Sequence, residues 1–229
     1  MKFIRFDLKD QRPARLAKHK FALVSEVWDS FIKNCSLSYV LGANITVDEQ
    51  LFPTKARCKF TQYMVNNKPD KFGIKFWLAA DVDTKYFLNG FPYLGKDDNR
   101  PPNQSLQENV VMNLMAPYLG KGRNVTTDNF FTSVSLTEKL KIQSTSLGKS
   151  HNQSIFQKQC HFIMQPSMES YLLDQMARKY SEKAASRRWP LQVFYNILDL
   201  AGINTWVLFK QITGKKISRR VFLQMLSLE

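Results

Sequence analysis

Cysteine is scarce in this 229-residue chain: Cys35, Cys58 and Cys160 are the whole complement, widely separated and in no C-x-x-C pair. That pattern offers neither a disulfide framework nor a zinc knuckle, and a reducing intracellular compartment fits it best. Acidic residues are also short, 19 against 33 Lys and Arg, which leaves a net charge of +14 and a pI near 9.7. Such an imbalance favours a polyanionic partner through phosphate neutralisation and counterion release, although ribosome-associated and membrane-surface proteins share it. The start, MKFIRFD, places charges before any long apolar core forms, so it is not a secretory signal, and the N-x-S/T matches at Asn34, Asn44, Asn103, Asn124 and Asn152 are read as chance. No uninterrupted apolar span is present either. The longest apolar segment, 191–209, carries Gln192, Asn196, Asp199 and Asn204, which predicts a buried helix and no membrane partner.

What is present describes a globular protein: 44% hydrophobic residues, 13% of the chain aromatic, enough for a real core. Residues 1–20 read as a basic, irregular arm broken at Pro13. Phe21, Val24, Val27, Trp28, Phe31 and Ile32 recur at helical spacing over 21–33. Residues 43–51, ANITVDEQL, predict a strand with Asp48 near its end, and 62–65 a short strand before the turn at 66–70. Residues 73–81 and 84–89 complete a meander. Ser105 and Glu108 form a capping-box pattern for a helix that stops before Pro117. Asn124 to Thr127 predicts the next strand, with Asp128 at its end, and Thr132 or Ser133 caps a helix over 136–142. STSLGK at 144–149 reads as the start of a fifth strand, followed by a polar tract at 150–158. Helical spacing returns at 168–180, in the long segment opened by Pro190, and in a basic amphipathic tail at 215–228.

Three strands, a helix, a strand and a helix match the start of an RNase H-like domain. In that sheet the first and fourth strands are neighbours, so Asp48 and Asp128 could face each other despite standing 80 residues apart. Two-metal phosphoryl transfer needs carboxylates converging on ions about 3.5–4 Å apart, and hard oxygen ligands of this kind suit Mg²⁺. A lone Asp-Asn at a strand end has the competing reading of a turn former or helix cap.

The runs ITVDEQL, FPTKARCKF, NKPDKFGIKFW, YLGK, GRNVTTDNFFTS and LDQM with SRRWP span most of the chain. With them the sequence resembles the piggyBac family of DDE transposases and their transposable-element-derived relatives. The resemblance implies an α/β, RNase H-like (retroviral-integrase-like) mixed sheet with flanking helices, expected in this chain as an incomplete core followed by a helical C-terminal region. It also implies nuclear location, DNA as partner with joining at TTAA sequences, a metal-dependent mechanism using Mg²⁺, and no small-molecule substrate. Asp48 in TVDEQ matches the first catalytic and metal-binding carboxylate and Asp128 in TTDNFF the second. Arg178, Lys179, Arg187 and Arg188 fall in the segment that the family uses for DNA binding and dimerisation, so a homodimer is a further expectation.

At the third carboxylate the sequence departs from the family. Aligning Leu173-Asp174-Gln175-Met176 puts Tyr171 at the catalytic Asp position, and a phenol with a reference pKa of about 10 is a poor Mg²⁺ ligand. Asp174 is the substitute candidate, offset by about 4.5 Å along a helix and about 60° around it. Glu169 points to another side. The interval from Asp128 to Tyr171, 43 residues, is much shorter than the family's, and the absent material is expected to leave a sheet edge unpaired. The expectation is therefore a truncated, internally deleted descendant: residues 1–42 a basic arm and amphipathic helix, 43–147 a partial catalytic core, 148–167 a linker, and 168–229 a helical basic region. It binds DNA and has lost complete cut-and-paste activity. Two alternatives stand beside it, an active DDE transposase using a substitute carboxylate and a non-functional remnant.

Overall fold

A computed structural model describes residues 4–63, 71–96, 100–146, 162–164 and 171–228, with backbone alone for 142–146, 162–164 and 171–172. The sheet it contains is built around β1 (Asn44–Pro53) and β3 (Phe72–Asp81). Both are rich in β-branched and aromatic residues, and they pair antiparallel from Ile45↔Asp81 to Pro53↔Gly73. Gly73 is needed where they meet, since a Cβ there would lie 2.3 Å from the Phe52 carbonyl oxygen. On its other edge β3 pairs antiparallel with β2 (Thr61–Tyr63) and β4 (Phe87–Pro92).

On the far side of β1, the strands run parallel. β5 (Asn124–Thr127) pairs with β1, and β6 (Phe162–Met164) pairs with β5, giving the order β2-β3-β1-β5-β6 with β4 also on β3. An antiparallel meander followed by parallel strands on the other edge of the first is the RNase H-like arrangement. β6 corrects two expectations. It lies inside the stretch read as a linker, and by pairing with β5 it covers the edge expected to be bare. The proposed fifth strand at 144–149 is also corrected: Ser144 to Ser146 end α4 (Val134–Ser146). The turn at 66–70, the polar tract at 150–158, Cys160, Met168 and Glu169 lie outside the described residues.

Seven α-helices are described. α1 (Arg12–Lys18) replaces part of the irregular arm, because Pro13 occupies the first turn, where its missing N–H costs nothing. α2 (Ser25–Leu37) places Trp28 on Phe76 of β3, with ring centroids 4.9 Å apart, and its indole N–H donates to the Gly90 carbonyl at 3.0 Å. α3 (Leu106–Met115) has the expected Ser105 cap, whose hydroxyl accepts the Glu108 N–H at 3.2 Å. The Glu108 carboxylate turns to α4, accepting from Ser135 and pairing with Lys139.

α5 (Tyr171–Lys179) lies against β1, and α6 (Trp189–Thr213) crosses behind β4 and ends at Gly214, whose φ of +67° suits a left-handed cap. The four polar residues of α6 that argued for burial are all buried. Asn204 accepts the Phe87 N–H at 2.7 Å and donates to its carbonyl at 2.9 Å, as a neighbouring strand would. Among the described residues no helix is long and apolar enough to cross a membrane. α7 (Arg219–Leu226) is capped by Ser218 and docks through buried Arg219, which donates to the Met176 carbonyl.

Candidate active site

Parallel pairing of β1 with β5 runs in register from Asn44↔Asn124 to Val47↔Thr127. Asp48 and Asp128 each follow the last of these pairs, so the topology brings the two carboxylate-bearing residues to the same level of adjacent strands. Their surroundings differ. Asp48 is still within β1, opposite Leu78, and side-chain alternation puts it on the face that carries Thr46 and Gln50. There Asp48, Thr46, Leu78 and Ala80 line a narrow crevice with Leu173 and Asp174 of α5.

Asp128 has already left the strand. Its Oδ1 accepts the backbone N–H groups of Phe130 at 3.0 Å and Phe131 at 3.4 Å, and Thr132 donates to its carbonyl oxygen at 2.8 Å. The turn-forming role is thus real, and it coexists with the strand-end position. Burial raises the Asp128 pKa above the ordinary carboxylate value. The Phe131 and Phe130 N–H groups oppose that rise, Glu49 adds to it, and Lys75 lowers it. Glu49 and Lys75 form an ion pair at 2.5 Å, on the strand face opposite to Asp48. Glu49 was passed over in the sequence reading, although it is adjacent to Asp48. Only the register of β1 on β3, which sets Glu49 opposite Trp77, reveals that Lys75 is its diagonal neighbour on the same face.

Asp174 is buried, forms an ion pair with Arg178 at 3.0 Å, and so fixes the guanidinium that also donates to the Leu51 carbonyl at 2.9 Å. It is therefore both a wall of the Asp48 crevice and part of the joint holding α5 to β1. Tyr171 begins α5, one helical turn before Asp174, and its ring lies outside the described side chains. Among the described residues no group of three or more His, Cys, Asp or Glu side chains is arranged to hold a metal ion. Among the described residues the donor set does not fit a closed Mg²⁺ site: Asp128 is engaged by two backbone N–H groups, and Asp174 is already paired with a cation.

The basic residues divide in two. Arg178 holds β1, and Arg188 donates to the Ile4 carbonyl at 2.6 Å. Lys179 and Arg187 are exposed. Charge alone did not distinguish the structural pair from the outward pair.

The sequence profile of the DDE transposases described as transposase IS4 matches residues 1–148, well over half of the chain. The chain belongs to the DDE transposase family. A solved structure, the cryo-EM structure of a piggyBac transposase synaptic complex with hairpin DNA, superimposes with a TM-score of 0.80 at 28% identity. The match covers 98% of this chain and 60% of the piggyBac chain, so this DDE transposase relative spans well under two thirds of that protein. The mixed sheet and flanking helices are those of the RNase H-like piggyBac fold, and the family as a whole uses divalent metal. Comparison with the curated proteins gives no match.

Proposed function

We propose that this chain is a piggyBac-transposase-derived, nuclear DNA-binding protein that lacks complete cut-and-paste activity. Residues 43–147 form its partial catalytic core, and the helical region 168–229 contributes DNA contacts and self-association, with Lys179 and Arg187 presented to solvent. The observation that carries this reading is the acid geometry. Asp48 and Asp128 share a strand register, while the substitute candidate for the third position, Asp174, is paired with Arg178. The net charge of +14 supports a phosphate-rich partner. Two assays test the reading together. Binding to TTAA-flanked duplex DNA should weaken steeply with salt, and Arg187→Ala with Lys179→Ala should reduce the salt slope by about 2. Incubation with Mg²⁺ or Mn²⁺ should release no cleaved or joined product. Metal-dependent cleavage abolished by Asp48→Ala would overturn the loss of activity.

A second reading, an active transposase, is favoured by one observation: Asp174 and Asp48 line the same crevice. In that case Asp174→Asn should abolish cleavage, whereas Tyr171→Asp should change little.

A further inference from the structure

Phe130 is an anomaly among the aromatic residues around the candidate site. Trp77 and Phe131 beside it are 1% exposed, whereas Phe130 keeps 45% of its surface in solvent. Single exposed apolar residues are ordinary. This one is held by contacts on several sides. Its ring stacks on Trp77, with centroids 6.0 Å apart and planes 13° from parallel, and meets Phe131 edge-on at 5.0 Å. The Lys75 ammonium lies 4.0 Å from the Trp77 ring centroid and 5.4 Å from that of Phe130, and Glu49 pins it from the other side. Asp128 accepts the Phe130 N–H, so the backbone that presents the ring is tied to the same carboxylate that marks the site. One ring is therefore pre-positioned, partly bare, beside Asp128 on the Trp77 face of the sheet of a basic protein.

We propose that Phe130 is a stacking platform for an unpaired nucleobase next to Asp128. This rests on the reading that the chain binds DNA, and it adds which DNA conformation that site selects. A flat aromatic ring with a free surface recognises a base by its π-face, which a paired and stacked base inside a duplex cannot offer. Rigid placement lowers the ordering cost of the contact, since the ring loses little freedom when a base covers it. The contact is independent of base identity, because every base has such a face. Lys75 contributes indirectly: with its charge shared between Glu49 and the Trp77 ring, it stiffens the support beneath Phe130.

The test is equilibrium binding of the full chain, without added metal, to two labelled DNAs that differ only in whether the terminal bases are paired or frayed. The wild-type protein should prefer the frayed DNA. Phe130→Ala should weaken binding to it about tenfold, in line with the contribution of one stacked base, and should leave the paired duplex within about twofold. Phe130→Leu keeps an apolar side chain on Trp77 but has no π-face, so it should behave like the alanine variant. Phe130→Tyr should bind as the wild type does. Equal losses on both DNAs, or none on either, would overturn the platform while leaving DNA binding intact. Absence of DNA binding by the wild-type chain would overturn both readings.

Discussion

Two helices dock on the same sheet by different means. α6, 25 residues long, meets β4 and β1 through a largely apolar surface and neutral amides: Asn204 brackets Phe87 of β4, and Asn196 donates to Gln50 of β1 at 2.9 Å. α5, nine residues long, meets β1 through charge, with Asp174 and Arg178 joined to each other and Arg178 to the Leu51 carbonyl. Amides with matched donors and acceptors are insensitive to pH and salt, whereas a partly buried ion pair gains little over its desolvation cost. The contrast teaches where the molecule is fixed and where it is adjustable. The charge-held helix borders the crevice at Asp48; the amide-held helix packs farther along the same face, on Gln50 and Phe87.

The comparison can be broken at several points. Asn204→Leu should have the largest effect, since it strands the Phe87 N–H and C=O in the core; a loss of about 3 kcal/mol in urea unfolding is expected. Arg178→Met should cost less, about 1–2 kcal/mol, because the Arg178 side chain is a quarter exposed and solvent already screens the pair. Equal costs for the two variants would remove the distinction between fixed and adjustable docking.

A smaller effect concerns Asp199 of α6, which accepts from Ser181 at 2.6 Å and from the Glu182 N–H at 2.8 Å. Burial raises its pKa; the Ser181 hydroxyl, the Glu182 N–H and Arg219 oppose that rise, and the Glu182 charge adds to it. The folded chain thus holds this proton more tightly than the unfolded chain. Its contribution to stability is greatest below the unfolded carboxylate value, declines as pH rises from there through the folded pKa, and is level above it. Asp199→Asn should lack that decline, so the stability of the wild type relative to the variant should fall across urea melts taken from about pH 3.5 to about pH 7. A constant difference would place the contact between Asp199 and the loop after α5 within the pH-insensitive joint. The smallest effect is a reporter. Burial pushes the Cys35 thiol up to about 12, and Asn204 donates to its sulfur at 3.2 Å. A thiol reagent should therefore label Cys35 only as fast as α6 opens, and Asn204→Leu should accelerate labelling in step with the stability it loses. Mass spectrometry of the Cys35 peptide reads the rate.

Much of this architecture is legible in order along the chain, for reasons that differ by element. β1 and β3 announce themselves through long β-branched and aromatic runs, α3 through its Ser105 cap, and α6 through Pro190 and its length. α1 was hidden because a proline reads as a breaker unless its place in the first turn is known. β6 was hidden because a three-residue strand has too few residues to show alternation, and it exists through pairing with β5. At 144–146 a mixture of Ser and Thr fits strand or helix equally, and continuation from Leu136 and Leu140 settled it as helix. In the candidate site, Asp48 and Asp128 could be read from the motifs on β1 and β5 that carry them, although β1 runs on to Pro53 beyond the end expected near Asp48. Glu49, Lys75 and Phe130 could not, since their roles depend on which residues the register places across from them.

By itself the sequence determined the basic character and the succession of strands and helices, which follow from residue type and local periodicity, while its motifs carried the family resemblance and the strand order pointed to two acids on neighbouring strands. Tertiary structure decided the rest. It turned one arginine of the basic segment toward the Leu51 carbonyl and left Arg187 in solvent, set Asp174 against Arg178 beside Asp48, and closed the β5 edge with a strand from far along the chain. It also stacked Phe130 on Trp77 next to Asp128. Side-chain direction in a strand alternates with every residue, so a partner 26 or 30 positions away in the chain, as Lys75 is from Glu49 and Leu78 from Asp48, is chosen by register, which no local pattern encodes.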